Sequence, residues 1–185
     1  RTAAEIGYAA VELWTREDDF QEVIETARRH DLTVASMTGH DSLPDGLNKR
    51  SNHDRIEVEL RESIDIAARH GIPGLICFSG NRQPFQSELE AIDAVADGFR
   101  RVAPYAEERG VNLNMELLNS KVNHPGYQCD HTAWGVAVCE KVGSPRGDGS
   151  PSWSRQTCRA IEEFIFDDIQ ALFEKIAVLE EKKAA

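Results

Sequence analysis

Val111-Asn112-Leu113-Asn114-Met115-Glu116-Leu117-Leu118-Asn119 reads as a short strand between two helical segments, with a carboxylate near its C-terminal end. Strands separated by helices belong to parallel sheets, which are covered on both faces and mostly apolar. A glutamate in such a strand is costly unless it is paired or bound to a metal. The next segment, Asn119-Ser120-Lys121-Val122-Asn123-His124-Pro125-Gly126-Tyr127, gathers polar groups. In a β/α fold that loop lies on the catalytic face. Two readings of Glu116 therefore stand side by side, a salt-bridged structural residue and a site carboxylate.

Upstream, a long helix over about Ser87 to Arg109 carries an apolar stripe of Leu89, Ile92, Val95, Ala96, Phe99, Val102 and Ala106, and Gly110 stops it. Gly74-Leu75-Ile76-Cys77-Phe78 reads as the strand before it. Ser79-Gly80-Asn81-Arg82 is that strand's C-terminal loop, where small residues let a ligand approach the backbone. Arg82 is either a grip for an anionic group or a surface charge. A further helix spans about Asp54 to His70, with Ile56, Leu60, Ile64 and Ala67 on one face. The run from Thr38 to Asn52 is long for a βα loop and rich in Gly, Pro, Asp and Asn, so it is a candidate functional loop. His40 lies at its start. Leu32–Met37 and Ala9–Trp14 read as two more strands, with a helix opened by Asp18-Asp19 between them. Downstream, Asp130-His131-Thr132 starts another helix.

Strand and helix thus alternate at least four times, the pattern of βαβ units and a parallel sheet. No GxGxxG follows the first strand, and neither GxxxxGK[ST] nor GxSxG occurs, which disfavours dinucleotide folds, P-loops and serine-hydrolase elbows. A length of 185 residues suffices for one domain with a core. The net charge of −11 and the lack of a basic stripe argue against nucleic acid and anionic membranes as partners. Cys77, Cys129, Cys139 and Cys158 form no CxxC or zinc-like spacing, and a reducing cytoplasm is the setting expected for them.

Met115-Glu116-Leu117-Leu118-Asn119-Ser120-Lys121-Val122-Asn123-His124-Pro125-Gly126-Tyr127-Gln128-Cys129-Asp130-His131-Thr132-Ala133-Trp134-Gly135 resembles the hydroxypyruvate isomerase-like branch of the xylose isomerase-like TIM-barrel superfamily, the sugar phosphate isomerases and epimerases. Ser79-Gly80-Asn81-Arg82, Gly46-Leu47-Asn48 and Gly7-Tyr8-Ala9-Ala10-Val11-Glu12-Leu13 are similar to the same family, and together the match runs from residue 1 to about 146. The resemblance implies a (β/α)8 barrel with a divalent metal, Mg²⁺ or Mn²⁺, at the C-terminal face of its strands. It implies a small carbohydrate or hydroxy-keto acid as substrate, with proton transfer beside a carbonyl. In the hydroxypyruvate branch, hydroxypyruvate and tartronate semialdehyde interconvert. Glu116 then corresponds to the metal-binding glutamate of the fifth strand, which can also move the proton. By position in the motif, Asn119, His124 and Tyr127 line the substrate site, and His40 reaches it from its own loop. A hard cation polarises the carbonyl, and a carboxylate shuttles the proton.

The sequence also departs from the family. The family takes an Asp, a His and a second Glu from its last three strands, and past Pro145 no such strands are legible. Asp148, Asp167 and Asp168 fall in a linker or on a helix, and the family's first strand is missing. The expected architecture is α/β, a partial barrel of about strands two to five over residues 1–146. A linker at 147–155 and an amphipathic helical tail at 156–185 follow, the tail marked by Ile161, Phe164, Ile165, Ile169, Leu172 and Phe173. A lone carboxylate binds a divalent metal poorly, so the expectation is a truncated barrel with weak or no isomerase activity. Two other readings stay open. One is a non-catalytic remnant or binding module whose exposed strand edges favour homo-oligomers. The other is a metal-dependent endonuclease, which the acidic balance disfavours.

Overall fold

The computed structural model describes residues 2–17 and 19–143. The linker and tail expected at 147–155 and 156–185 lie outside these residues. In chain order the elements are α1 (Thr2–Glu5), β1 (Ala10–Leu13), α2 (Phe20–Arg29), β2 (Thr33–Thr38), a short 3-10 turn (Arg50–Asn52), α3 (His53–His70), β3 (Gly74–Cys77), α4 (Glu88–Glu108), β4 (Asn112–Met115) and α5 (Thr132–Gly143). The strands form one parallel sheet in the order β1-β2-β3-β4. Each strand-to-strand crossover carries a helix, as parallel pairing requires. This is the α/β half-barrel expected from the alternation.

The helices begin and end where local chemistry dictates. Ser87 opens α4 with a capping box: its hydroxyl accepts from the Glu90 N–H, and the Glu90 carboxylate accepts from the Ser87 N–H. Gly71 ends α3 in the left-handed region, at φ 69°. Ile56, Leu60, Ile64 and Ala67 of α3 are fully buried, as their spacing requires. The stripe of α4 is buried from Ile92 to Ala106, but Leu89 is exposed, because the first turn of the helix projects beyond the core. α4 packs between α3 and α5.

Successive strand residues face opposite sides of the sheet. Met37, Leu75, Cys77, Leu113 and Met115 point to the helices and form one core with them. Ile76 and Phe78 are also buried but stand outside that core, on the concave face. Among the described residues no helix is long and apolar enough to cross a membrane.

Candidate active site

The concave face is polar where the helix-facing side is apolar. Asn112, Asn114 and Glu116 alternate along β4 and its end, with Leu113 and Met115 turned the other way. Across the sheet, the β1–β2 register shifts between Val11 and Glu12, so that Glu12 pairs with Ser36. A bulge of this kind re-aims a side chain. Here it brings the Ser36 hydroxyl to donate to Glu12 Oε1 at 2.6 Å. Glu116 stands at the far strand of the same face. Burial, and then the negative charge of Glu12, push its carboxyl up to about 7. Asn114 folds its amide over Gly74, where a Cβ would lie 2.5 Å from Asn114 Nδ2. The Asn114 Oδ1 is buried and has no hydrogen-bond partner among the described residues.

The end of β3 is the junction on which the loops assemble. His40 Nε2 accepts the Phe78 N–H at 2.9 Å. From the long β2–α3 loop, the N–H groups of Leu47 and Asn48 donate to the carbonyls of Phe78 and Ser79 at 3.1 and 2.8 Å. From the β4–α5 loop, Gln128 N–H donates to the Gly80 carbonyl at 2.9 Å, and Cys129 N–H donates to the Ser79 hydroxyl at 3.0 Å. Gly46 is required for this contact: a Cβ there would meet Gly80 N and Phe78 O at 2.5 Å, both backbone atoms that cannot step aside. The long loop is therefore a docked wall of the site, and the small residues of Ser79-Gly80 admit protein backbone.

The expected site residues separate into two groups. Tyr127 is joined to Glu116, but through the backbone. Its hydroxyl accepts from the Ser79 N–H at 3.0 Å and donates to the Glu116 carbonyl at 3.3 Å. With its side chain fully buried, Tyr127 braces the glutamate from behind. His40 is equally enclosed, at 1% exposure. Because Nε2 accepts from Phe78, Nδ1 carries the proton and donates to the Asp41 carbonyl at 3.0 Å. Burial lowers its pKa, which keeps the ring neutral. In this arrangement both ring nitrogens are occupied, and His40 positions the Phe78 backbone.

Asn119 is exposed, and its Oδ1 accepts from the N–H groups of Lys121 and Val122 at 2.9 and 3.2 Å. His124 closes the same turn through its N–H, which donates to the Asn119 carbonyl at 3.0 Å. Neither side chain hydrogen-bonds to Glu116 among the described residues. Arg82 is held by Glu88 and by Asp130, the latter at 3.3 Å, so its charge is already matched. Asp130 also accepts from Ser120 and meets His131 Nδ1. Against the cost of burial, these partners and Arg82 lower its pKa to about 2. Leu117 to Lys121, with Asp130 and His131, line a cavity of about 540 Å³ at this end of the sheet.

Glu12, Ser36, Asn114 and Trp14 are the concave-face residues that local reading passes over. The alternation of polar residues along β4 is the one signal that points to Asn114. Glu12 becomes visible only through the bulge. Among the described residues no three His, Cys, Asp or Glu side chains converge to hold a metal. Glu116 and Glu12 are the carboxylates this face offers among the described residues, with the neutral oxygens of Ser36, Asn112 and Asn114 beside them, and no third His, Cys, Asp or Glu joins them to make an Mg²⁺ or Mn²⁺ centre.

No curated protein matches the chain. Among solved structures, an AP endonuclease of family 2 from Brucella melitensis is similar at 24% identity and a TM-score of 0.60 over 78% of this chain and 58% of its own. A D-psicose 3-epimerase structure in the presence of D-fructose is similar at 15% identity and a TM-score of 0.61, over 85% of this chain and 62% of its own. A D-tagatose 3-epimerase-like protein gives 14% identity and a TM-score of 0.61, with 77% and 55% covered. At these identities the likeness is one of fold, and the chain spans about three fifths of the length of these proteins. A family model described as xylose isomerase-like TIM barrel matches residues 1–147. With a match over most of its length and a parallel half-barrel with polar groups on the concave side, the chain belongs to the xylose isomerase-like TIM-barrel family.

Proposed function

We propose that this chain carries the proton-transfer half of an aldose-ketose isomerase or epimerase site, with Glu116 as the base. The supporting observation is a half-buried carboxyl at the C-terminal end of a barrel strand with its pKa raised to about 7, where acid and base forms coexist near neutral pH. In its ionised form Glu116 takes a proton from the carbon beside a substrate carbonyl. The electron pair left behind delocalises into an enediolate. The carboxylic acid then returns the proton to the neighbouring carbon, with the hydroxyl proton passing between the two oxygens, for isomerisation, or first swaps it with solvent and returns it to the same carbon for exchange. Tyr127 and the Ser79 N–H hold the strand end in place while this happens. A divalent metal, if bound, would supply charge stabilisation to the enediolate, with Glu116 and Glu12 as the carboxylates on this face to hold it. The described residues supply only part of its coordination.

A hydroxypyruvate isomerase type of reaction is the finer reading, drawn from the resemblance around Glu116. The test is deuterium incorporation, followed by proton NMR in D₂O, into hydroxypyruvate and into D-fructose. Wild-type protein is expected to accelerate exchange at the carbon beside the carbonyl, and Glu116→Gln to lower that rate by about 10²- to 10⁴-fold. Equal exchange with both proteins sinks the assignment. Absence of exchange in the wild type supports a binding module instead. Cleavage of abasic DNA by this chain redirects the reading to a nuclease.

A further inference from the structure

We propose that His131 is the second proton carrier of the site, passing the hydroxyl proton between the two substrate oxygens, and that Asp130 positions it for that task. The inference deepens the proton-transfer reading and rests on it. Glu116 moves the proton on carbon. Isomerisation also moves one on oxygen, which needs a second group able to take and give a proton near neutral pH. Imidazole is the side chain suited to that exchange.

Asp130 is the anchor of the pair. Its Oδ2 accepts from the Ser120 hydroxyl at 2.6 Å and from Arg82 at 3.3 Å, and its Oδ1 meets His131 Nδ1 at 2.7 Å. Ionised near neutral pH, the Asp130 carboxylate only accepts, so Nδ1 carries the ring proton and Nε2 is left as the basic nitrogen. Nε2 forms no hydrogen bond among the described residues. Asp130 is enclosed and His131 is open, with side-chain exposures of 18% and 57%. An imidazole fixed through one nitrogen and bare at the other has its tautomer and ring direction set in advance. Ser120 faces the acid and not the imidazole, so the three residues do not make a serine nucleophile.

The β4–α5 loop brings this pair back to the strand end. The Leu118 N–H donates to the Cys129 carbonyl at 3.2 Å, which clasps the segment after Glu116 to the segment before Asp130. Burial, and then the charges of Asp130 and Glu116, push the Cys129 thiol up to about 12, so both carboxylates stand near one thiol. Leu117, the residue after Glu116, reaches the first turn of α5, where a Cβ on Gly135 would lie 3.5 Å from Leu117 Cδ1. His131 precedes that turn, and with Leu117 it lines the cavity of about 540 Å³. Such a volume holds a small sugar or keto acid. The step balances without a further reagent. Glu116 takes the proton from the hydroxyl-bearing carbon, and the electron pair moves through the carbonyl to make the enediolate. Nε2 takes the proton of that carbon's hydroxyl and returns it to the former carbonyl oxygen, while Asp130 stabilises the transient imidazolium. The Glu116 acid then protonates the former carbonyl carbon, the new carbonyl forms, and both side chains end as they began.

The test separates the two proton transfers, with hydroxypyruvate and D-fructose as probes. Proton NMR in D₂O reads deuterium exchange beside the carbonyl and formation of the isomer in one experiment. Asparagine keeps an N–H in place of Nδ1 and has nothing in place of Nε2, so His131→Asn retains the bond to Asp130 and removes the base. It should slow interconversion by about 10²-fold and slow exchange far less. Glu116→Gln should slow both. In alkaline buffer, nitrogen-15 NMR of the wild type should show the His131 ring protonated at Nδ1. Equal slowing of both rates by His131→Asn, or a ring protonated at Nε2, overturns the proposal. Exchange that needs Glu116, with interconversion indifferent to His131, removes His131 and keeps Glu116 as the base. Interconversion that needs His131 but survives Glu116→Gln keeps His131 and removes the Glu116 reading. A wild type that neither exchanges nor interconverts overturns both.

Discussion

The two faces of the four-stranded sheet are made by the same strands and do opposite things. The helix-facing side, with Met37, Leu75, Cys77, Leu113 and Met115, is closed, apolar and continuous with the helices. The concave side places Glu12, Ser36, Asn114 and Glu116 beside Ile76 and Phe78, and the Asn114 Oδ1 has no hydrogen-bond partner among the described residues. A period of two residues is all that separates them. The contrast shows how alternate positions of one strand answer to different surroundings, one to the dry core and one to a polar face.

That separation can be broken from either side. Leu75→Ala on the helix-facing side removes a fully buried side chain from a central strand and should lower stability by about 3 kcal/mol in chemical denaturation. Glu116→Gln acts in the other direction. Because the folded-state pKa of Glu116 lies above its ordinary value, the folded state binds the proton more tightly than the unfolded chain does. The wild type therefore gains most from this group below about pH 4.5 and loses that stability as pH rises through about 7. In metal-free buffer the glutamine variant should lack the loss. Its advantage over the wild type should grow with pH to roughly 2 kcal/mol at pH 8, from denaturant midpoints. A variant that is uniformly less stable, with no pH dependence in the difference, would show that Glu116 is structural.

Tyr127→Phe sharpens the boundary between brace and site. Loss of the hydroxyl leaves the Ser79 N–H without its acceptor and should cost about 1 kcal/mol in thermal denaturation. Exchange catalysed by Glu116 should slow modestly with no change in its pH profile, since Tyr127 touches the backbone of the glutamate and not its carboxyl. A shifted profile would mean that the tyrosine reaches the reacting groups.

How far the site was legible follows the same division. Glu116 stood out because a carboxylate in a strand expected to be covered on both faces breaks a local rule. The Ser79-Gly80 pair stood out as a close-approach position, and it is one, though the backbone it admits belongs to the protein; the matching need for Gly46 shows only in the structure. Tyr127 and His40 read as polar groups near the site. The fold uses their hydrogen-bonding capacity to tie loop ends to β3. Trp14 and Glu12 carried no local mark.

By itself the sequence determined the alternation of strands and helices, the stops at Gly71 and Gly110, and the placing of Glu116 at a strand end. Those features depend on periodicities of 2 and 3.6 and on caps, which are settled by neighbours within a few residues. Only the tertiary structure decided the rest. The β1–β2 bulge turns Glu12 toward Ser36, β3 brings Phe78 under Trp14, and enclosure raises the pKa of Glu116. Register, stacking and desolvation are interactions between residues far apart in the chain, and they come into being when the sheet closes.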